Sequence, residues 1–157
     1  MPFTQKQHKK FNKNSYNSFI LGADIGGTNT NFGVFGIKIK FPALLLSFHF
    51  NSKKIGKLHN AINETLGYMQ KNYKIKITKA CIAGAGIVSP KRDSISITKL
   101  GWNLRQKELS KNTGLKKVSF INDFEAIGYG INILKKNDVA VVKKAQKIPE
   151  APIVVVG

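Results

Sequence analysis

The sequence holds one cysteine, Cys81, and only two arginines, Arg92 and Arg105, among its 26 basic residues. A single cysteine closes no disulfide within the chain and offers no metal-ligand spacing, so neither a thiol enzyme nor a zinc site has support. Its place in the apolar run Ala80 to Ala83 predicts a small buried hydrophobe. Scarce arginine argues against specific nucleic-acid binding, because base readout and bidentate phosphate capture favour that side chain. No apolar run approaches the roughly 20 residues a membrane helix needs; the longest are Phe41 to Phe50 and Ala151 to Val156. No membrane partner is therefore expected. Met1 to Lys13 carries lysines with no apolar stretch behind them, which is not the pattern of a secretory signal, and a cytoplasmic location is expected.

What is present is a globular composition. Of 157 residues, 42% are hydrophobic and 22% charged, which suits one compact domain with a core. The formal charge of +18 would attract polyanions, ATP among them, in a salt-dependent way. The lysines are spread along the chain and form no single block, so the charge defines no nucleic-acid footprint. Polyanion binding stays open as a reading, and steep, sequence-blind loss of affinity with salt would mark it as counterion release.

Residues 1–17 are polar, basic and aperiodic, and read as a flexible tail. Strands are expected over Ser18 to Ala23, Asn31 to Ile37 and Ala43 to Phe50, with a turn at Gly26 to Asn29. Ile55, Leu58, Ala61, Ile62, Thr65, Leu66 and Met69 recur at helical spacing and predict a helix over about residues 55–71. Further strands are expected over Ile75 to Ala83, Ser94 to Thr98 and Lys117 to Ile121. Helices are expected over Leu104 to Asn112, closed by Gly114, and over Phe124 to Leu134, with Phe124, Ile127, Ile131 and Leu134 on one face. Residues 18–148 then form one α/β domain. Residues 149–157 read as a linker, Pro149 to Pro152, and the first strand of a second domain, Ile153 to Val156. The element order matches a ribonuclease-H-like core: a mixed five-stranded sheet of order 3-2-1-4-5 flanked by helices.

Two segments carry chemistry. In Asp24-Ile25-Gly26-Gly27-Thr28-Asn29 an acidic residue ends an apolar strand. Two glycines then let the backbone turn and approach a ligand, and Thr28 and Asn29 add polar donors. Such a turn can aim backbone N–H groups at a phosphate. Asp24 can hold Mg²⁺ through water, since that ion takes few carboxylates. A plain hairpin turn would look similar. It is no Walker loop, lacking the lysine, and no dinucleotide fingerprint, because a strand follows and not a helix. The second segment, Phe120-Ile121-Asn122-Asp123-Phe124-Glu125-Ala126, puts a carboxylate where a strand gives way to a helix, the edge at which open α/β sheets bind ligands. Asp123 there can accept a hydroxyl proton; equally, Asn122 or Asp123 can serve only as a helix N-cap. Trp102 reads as a core anchor before a face that stacks on a ligand. His8, His49 and His59 share no motif.

Together these segments resemble the bacterial-type glucokinase family, of the actin-like and hexokinase-like ATPases, over about residues 18–157. The resemblance implies that Asp24, Gly26, Gly27, Thr28 and Asn29 are the first phosphate motif, and that Ile121 to Ala126 is the sugar and catalytic motif. It implies that Asp123 takes the proton of the sugar 6-hydroxyl and that Asn122 binds neighbouring hydroxyls. Ala80 to Gly86 and Thr98 to Trp102 are similar to sugar-side loops, which makes Thr98 and Lys99 candidate sugar contacts. Glucose or a related hexose, ATP and Mg²⁺ are the implied substrates and metal, and a homodimer is compatible with the full-length protein. The family usually has a Gly-Pro pair where this chain has Gly84-Ala85-Gly86, and Asn where it has Lys99. A Thr-Lys pair also occurs in the sugar loop of eukaryotic hexokinases, so a sugar contact from Lys99 stays open while the hexose does too. Ile153 to Gly157 looks like the strand entering the second phosphate motif. The expected activity is ATP-dependent hexose phosphorylation. The alternative is a catalytically silent fragment or a sugar-binding regulatory module of the same fold.

Overall fold

A computed structural model of the chain describes residues 2–39, 42–143, 146 and 149–150. The expected strand Ile153 to Val156 lies outside the described residues, as does part of the expected linker.

Six strands form the main sheet: β1 (Thr4–Gln7), β2 (Ser18–Ile25), β3 (Asn29–Ile37), β4 (Pro42–Asn51), β5 (Lys79–Gly84) and β9 (Lys117–Asn122). Their spatial order is β1-β4-β3-β2-β5-β9. Strands β2, β3 and β4 run antiparallel in sequence, whereas β5 lies parallel to β2 and β9 parallel to β5. The expected order 3-2-1-4-5 is thus present, with one strand added at its edge. Three short strands, β6 (Ile87–Val88), β7 (Ser94–Ile97) and β8 (Trp102–Arg105), make a second antiparallel sheet. The helices are α1 (Leu58–Tyr73), α2 (Gln106–Thr113) and α3 (Asp123–Ile131). No helix among the described residues is long and apolar enough to cross a membrane.

The core follows from strand alternation. Thr30, Phe32 and Val34 of β3 are buried at every second position, and Phe48 and Phe50 of β4 continue the row. Against them α1 lays Leu58, Ala61, Ile62, Thr65 and Met69, which fall at the 3–4 residue spacing of one helix face. Phe48 is fully buried, with ring centroids 5.6 Å from Phe3 and 5.4 Å from Tyr68. Helix α1 ends at Lys74 in the left-handed region, φ 55°, with its N–H bonded back to Gln70.

Several expectations change. The segment read as a flexible tail supplies β1, in register with β4 from Thr4↔His49 to Gln7↔Leu46. An edge strand docks through backbone hydrogen bonds, so it needs no apolar alternation of its own. Phe3 and Phe11 anchor it against the core. His8 and His49 add side-chain links: His8 Nε2 and Ser47 Oγ lie 3.0 Å apart, and His49 Nδ1 lies 2.7 Å from Asn31 Oδ1. The helix expected from Leu104 starts at Gln106, because Leu104 pairs with Ile95 in the small sheet. Strand β5 starts at Lys79; Ile75 and Ile77 are buried but lie in the connection before it. Cys81 is exposed, not buried, because alternation turns Ala80 and Ile82 to the core and Cys81 to the opposite face. Helix α3 has no buried residue, and Phe124 and Ile127 are 47% and 51% exposed. Helical periodicity reveals an apolar stripe but not what it packs on.

Phe48→Ala is expected to destabilise the domain by about 3–5 kcal/mol, the usual range for emptying an aromatic core site. Denaturant unfolding of the two proteins checks this; a loss under about 1 kcal/mol would show that the core closes over the cavity.

Candidate active site

Parallel pairing fixes where the two motifs meet. Asp24 is level with Ala83 of β5, and Ala83 with Ile121 of β9; one residue on, Ile25, Gly84 and Asn122 form the next row. All three strands therefore end on one edge, and Asp24 and the Asn122-Asp123 pair stand two strand spacings apart, about 10 Å. The sequence-predicted phosphate turn and candidate base share one sheet edge.

The turn Gly26 to Asn29 joins β2 to β3 as a tight hairpin, with Gly26 N–H donating to Asn29 O at 2.9 Å. A Cβ on Gly26 would stand 3.0 Å from Asn29 O, so glycine fits there with least displacement. Beneath the turn lies Ser52, which is 1% exposed. Its hydroxyl donates to Gly26 O at 2.7 Å and meets Thr30 Oγ1 at 2.9 Å, while its N–H donates to Thr28 O at 2.8 Å. Both carbonyls are thereby held inward. In a trans peptide the following N–H points the opposite way, so Gly27 N–H faces away from Ser52. Gly27, Thr28 and Asn29 are exposed, as is Asp24. Nothing in the local sequence marks Ser52, which lies 26 residues beyond Gly26 and reaches it only through the β3–β4 pairing.

Candidate sugar residues come to the same edge by another route. Thr98 to Leu100 form a single 3-10 turn closed by Gly101 at φ 64°. Thr98 and Lys99 are exposed, and Lys99 Cδ lies 4.0 Å from where a Cβ on Gly27 would be. Lys99 therefore borders the Gly26 to Asn29 turn. Trp102 is half-buried and packs against the core, as an anchor would. Gly86 is fixed by close approach: a Cβ there would stand 2.2 Å from Ser96 O. That contact accounts for glycine at this place in the loop.

At the end of β9, Asn122 is the N-cap of α3, its Oδ1 accepting from Phe124 N–H at 3.0 Å. Its amide also donates to Gly86 O at 3.2 Å, tying the strand end to the first sugar-side loop. Asp123 Oδ1 accepts from the same Phe124 N–H at 3.0 Å, leaving its other oxygen without a hydrogen-bond partner among the described residues and its side chain half-exposed at the sheet edge. The cap reading of Asn122 is thus correct, and it coexists with a place for Asp123 at the ligand edge. Close by, Arg92 makes a bidentate ion pair with Glu125. Hydrogen bonding from Arg92, against partial desolvation, holds the Glu125 carboxyl below its ordinary range, with the arginine's charge and the Asn122 backbone N–H adding to the effect. Partial desolvation on its face of the sheet pushes the Cys81 thiol up, with the charge of Arg92 opposing it.

Among the described residues no group of three or more His, Cys, Asp or Glu could hold a metal ion. A lone exposed carboxylate beside a phosphate turn fits Mg²⁺, which keeps its waters and shares its remaining ligands with phosphate.

A mixed sheet of this order, with a glycine turn after its first core strand and a carboxylate at the end of its last, defines the actin-like ATPase fold of sugar kinases. The glucokinase family model matches residues 21–157, and the chain belongs to that family. It is 37% identical over 145 residues to the glucokinase of Nostoc punctiforme, and 31% identical over 141 residues to that of Nostoc sp. (strain PCC 7120). Each alignment covers 89% of this chain and 40% of the relative. The chain thus spans about two fifths of the length of these curated relatives. Among solved structures, a glucokinase from an Antarctic psychrotroph superposes with a TM-score of 0.68 at 30% identity, covering 84% of this chain and 40% of that one. The Balamuthia mandrillaris glucokinase, solved in complex with glucose, gives 0.58 at 26% identity, covering 73% and 32%.

Ser52→Ala is expected to cost about 1–3 kcal/mol, the penalty for leaving buried polar partners unmatched. The Thr30→Val, Ser52→Ala double variant is expected to cost less than the sum of the singles. Chemical denaturation of all four proteins checks this; additive losses would show that the two hydroxyls do not act together.

Proposed function

We propose that the full-length protein is an ATP-dependent hexose kinase of glucokinase type, transferring a phosphoryl group to the 6-hydroxyl of glucose or a related hexose. The observation that carries this reading is the common edge shared by the Asp24 turn and the Asn122-Asp123 pair. Phosphoryl transfer is mostly positioning and charge neutralisation, and it needs the acceptor hydroxyl and the donor phosphate in one cleft. Two strand spacings leave room for both between the two carboxylates.

In this reading Asp123 accepts the proton of the 6-hydroxyl as that oxygen attacks the terminal phosphorus of ATP, whose bond to the bridging oxygen breaks to release ADP. Asn122 keeps its cap and its bond to Gly86 and offers its second amide hydrogen to a neighbouring sugar hydroxyl. Thr98 and Lys99 contact the sugar or its attacking oxygen from the opposite side of the cleft. The Gly26 to Asn29 turn holds the phosphates through its outward backbone N–H groups, kept outward by Ser52. Asp24 would hold Mg²⁺ through water, and that ion supplies neutralisation of phosphate charge when bound. Membership of the glucokinase family supports the substrate class.

In the full-length protein, Asp123→Asn is expected to lower kcat by about 10²–10⁴-fold with little change in KM for the hexose, the loss typical of removing a general base. Steady-state kinetics of glucose 6-phosphate formation check this. Near-normal turnover in the variant would remove Asp123 from the role, and absence of turnover with any hexose in the parent would overturn the proposed activity.

A further inference from the structure

Helix α3 carries Asp123 at its first position, yet none of its residues is fully buried. Its packing on β9 and β5 is only partial, which leaves polar contacts a larger share in setting the direction of its N-terminus. Three contacts reach the β9–α3 junction from the segment between Gly86 and Asp93. Asn122 Nδ2 donates to Gly86 O at 3.2 Å. Phe120 N–H donates to Arg92 O at 3.0 Å. Arg92 Nη1 donates to Glu125 Oε2 at 3.1 Å, and Nη2 donates to Glu125 Oε1.

Arg92 itself is held in an uncommon conformation. Its φ is 55°, in the left-handed region that non-glycine residues seldom occupy. The turn that imposes it is closed by Arg92 N–H donating to Ser89 O at 2.8 Å. Ser89 Oγ completes the turn, donating to Asp93 Oδ1 at 2.7 Å and accepting from the Asp93 and Ser94 N–H groups at 3.1 Å. The guanidinium is therefore presented from a backbone fixed on both sides. The fork geometry of a bidentate arginine–carboxylate pair constrains angle as well as distance. Among the described residues of α3, Glu125 alone makes a side-chain hydrogen bond to another element.

We propose that Arg92 and Glu125 form a clamp that sets the orientation of the α3 N-terminus, and with it Asp123, relative to the sugar-side loop. Arg92 and Glu125 are positioning residues that touch neither substrate nor reacting atoms. That the clamp serves catalysis rests on the proposed role of Asp123; the clamp itself does not. Exposed ion pairs add little to global stability, and these side chains are 45% and 36% exposed. The effect of the pair is accordingly local: it selects one position of α3 and leaves folding of the core unchanged. The depressed pKa of Glu125, caused first by hydrogen bonding from Arg92, agrees with a formed pair.

Amide hydrogen exchange on this chain separates a local clamp from a general prop, and needs no enzymatic turnover. Arg92→Glu and Glu125→Arg are each expected to raise exchange at Phe124, Ala126 and Ile127 by at least about tenfold, a local opening. The thermal midpoint is expected to stay within about 2 °C, as for a surface substitution. Combining the two substitutions restores an opposite-charge pair with its ends exchanged, and protection of those three amides is expected to return. Unchanged exchange in the single variants would overturn the proposal. So would failure of the double variant to restore protection, or faster exchange throughout the core with a lowered midpoint.

Discussion

Parallel pairing of β2 with β5 and of β5 with β9 is the constraint on which the site depends. Parallel strands end on the same side of a sheet, and the register of these three puts Ile25, Gly84 and Asn122 in one row. A slip of one residue would turn each side chain to the other face, withdrawing Asp24 from the edge and exposing Ile82 or Phe120. The register is held because Leu21, Ile25, Ile82 and Phe120 fill the core from the covered face. Core packing and site geometry are thus the same specification, written on alternate residues of the same strands.

The two carboxylate segments are supported differently. The Asp24 turn rests on buried hydroxyls, with Ser52 and Thr30 almost without solvent exposure beneath it. The Asp123 end stands on α3, which has no fully buried residue and is tied by polar contacts nearer the surface. In the proposed reading, a turn that holds a highly charged phosphate gains from rigidity, since preorganised donors need no rearrangement during the reaction. A helix that would carry the base and is held by a few polar links can adjust to the sugar at lower cost. The domain therefore joins a fixed side and an adjustable side across about two strand spacings.

Much of this was legible in the chain itself. The strands β2, β3, β4 and β9 follow from alternation and short apolar runs, and α1 from the helical spacing of Leu58, Ala61, Ile62, Thr65, Leu66 and Met69. The Asp24 turn and the Asn122-Asp123 pair were legible because glycine, carboxylate and cap residues each answer a local backbone need. What escaped was non-local or pattern-poor. Strand β1 pairs through its backbone and shows no alternation to read. Leu104 fits a helical face but is taken by pairing with Ile95. Cys81 sits in an apolar run whose alternate members face opposite ways. Ser52 and the Arg92–Glu125 pair act across 26 and 33 residues of sequence, and only the folded register brings them to their partners.

The central claim is that the Asp24 turn and Asp123 belong to one cleft that takes a phosphate donor and a hexose together. A crystal structure of the full-length protein with glucose and a non-hydrolysable ATP analogue tests it most directly. The sugar 6-hydroxyl is expected within hydrogen-bond distance of an Asp123 oxygen, at about 2.6–3.2 Å, with the terminal phosphate on the Gly26 to Asn29 turn. A hexose bound away from Asp123, or phosphates held without contact to that turn, would contradict it.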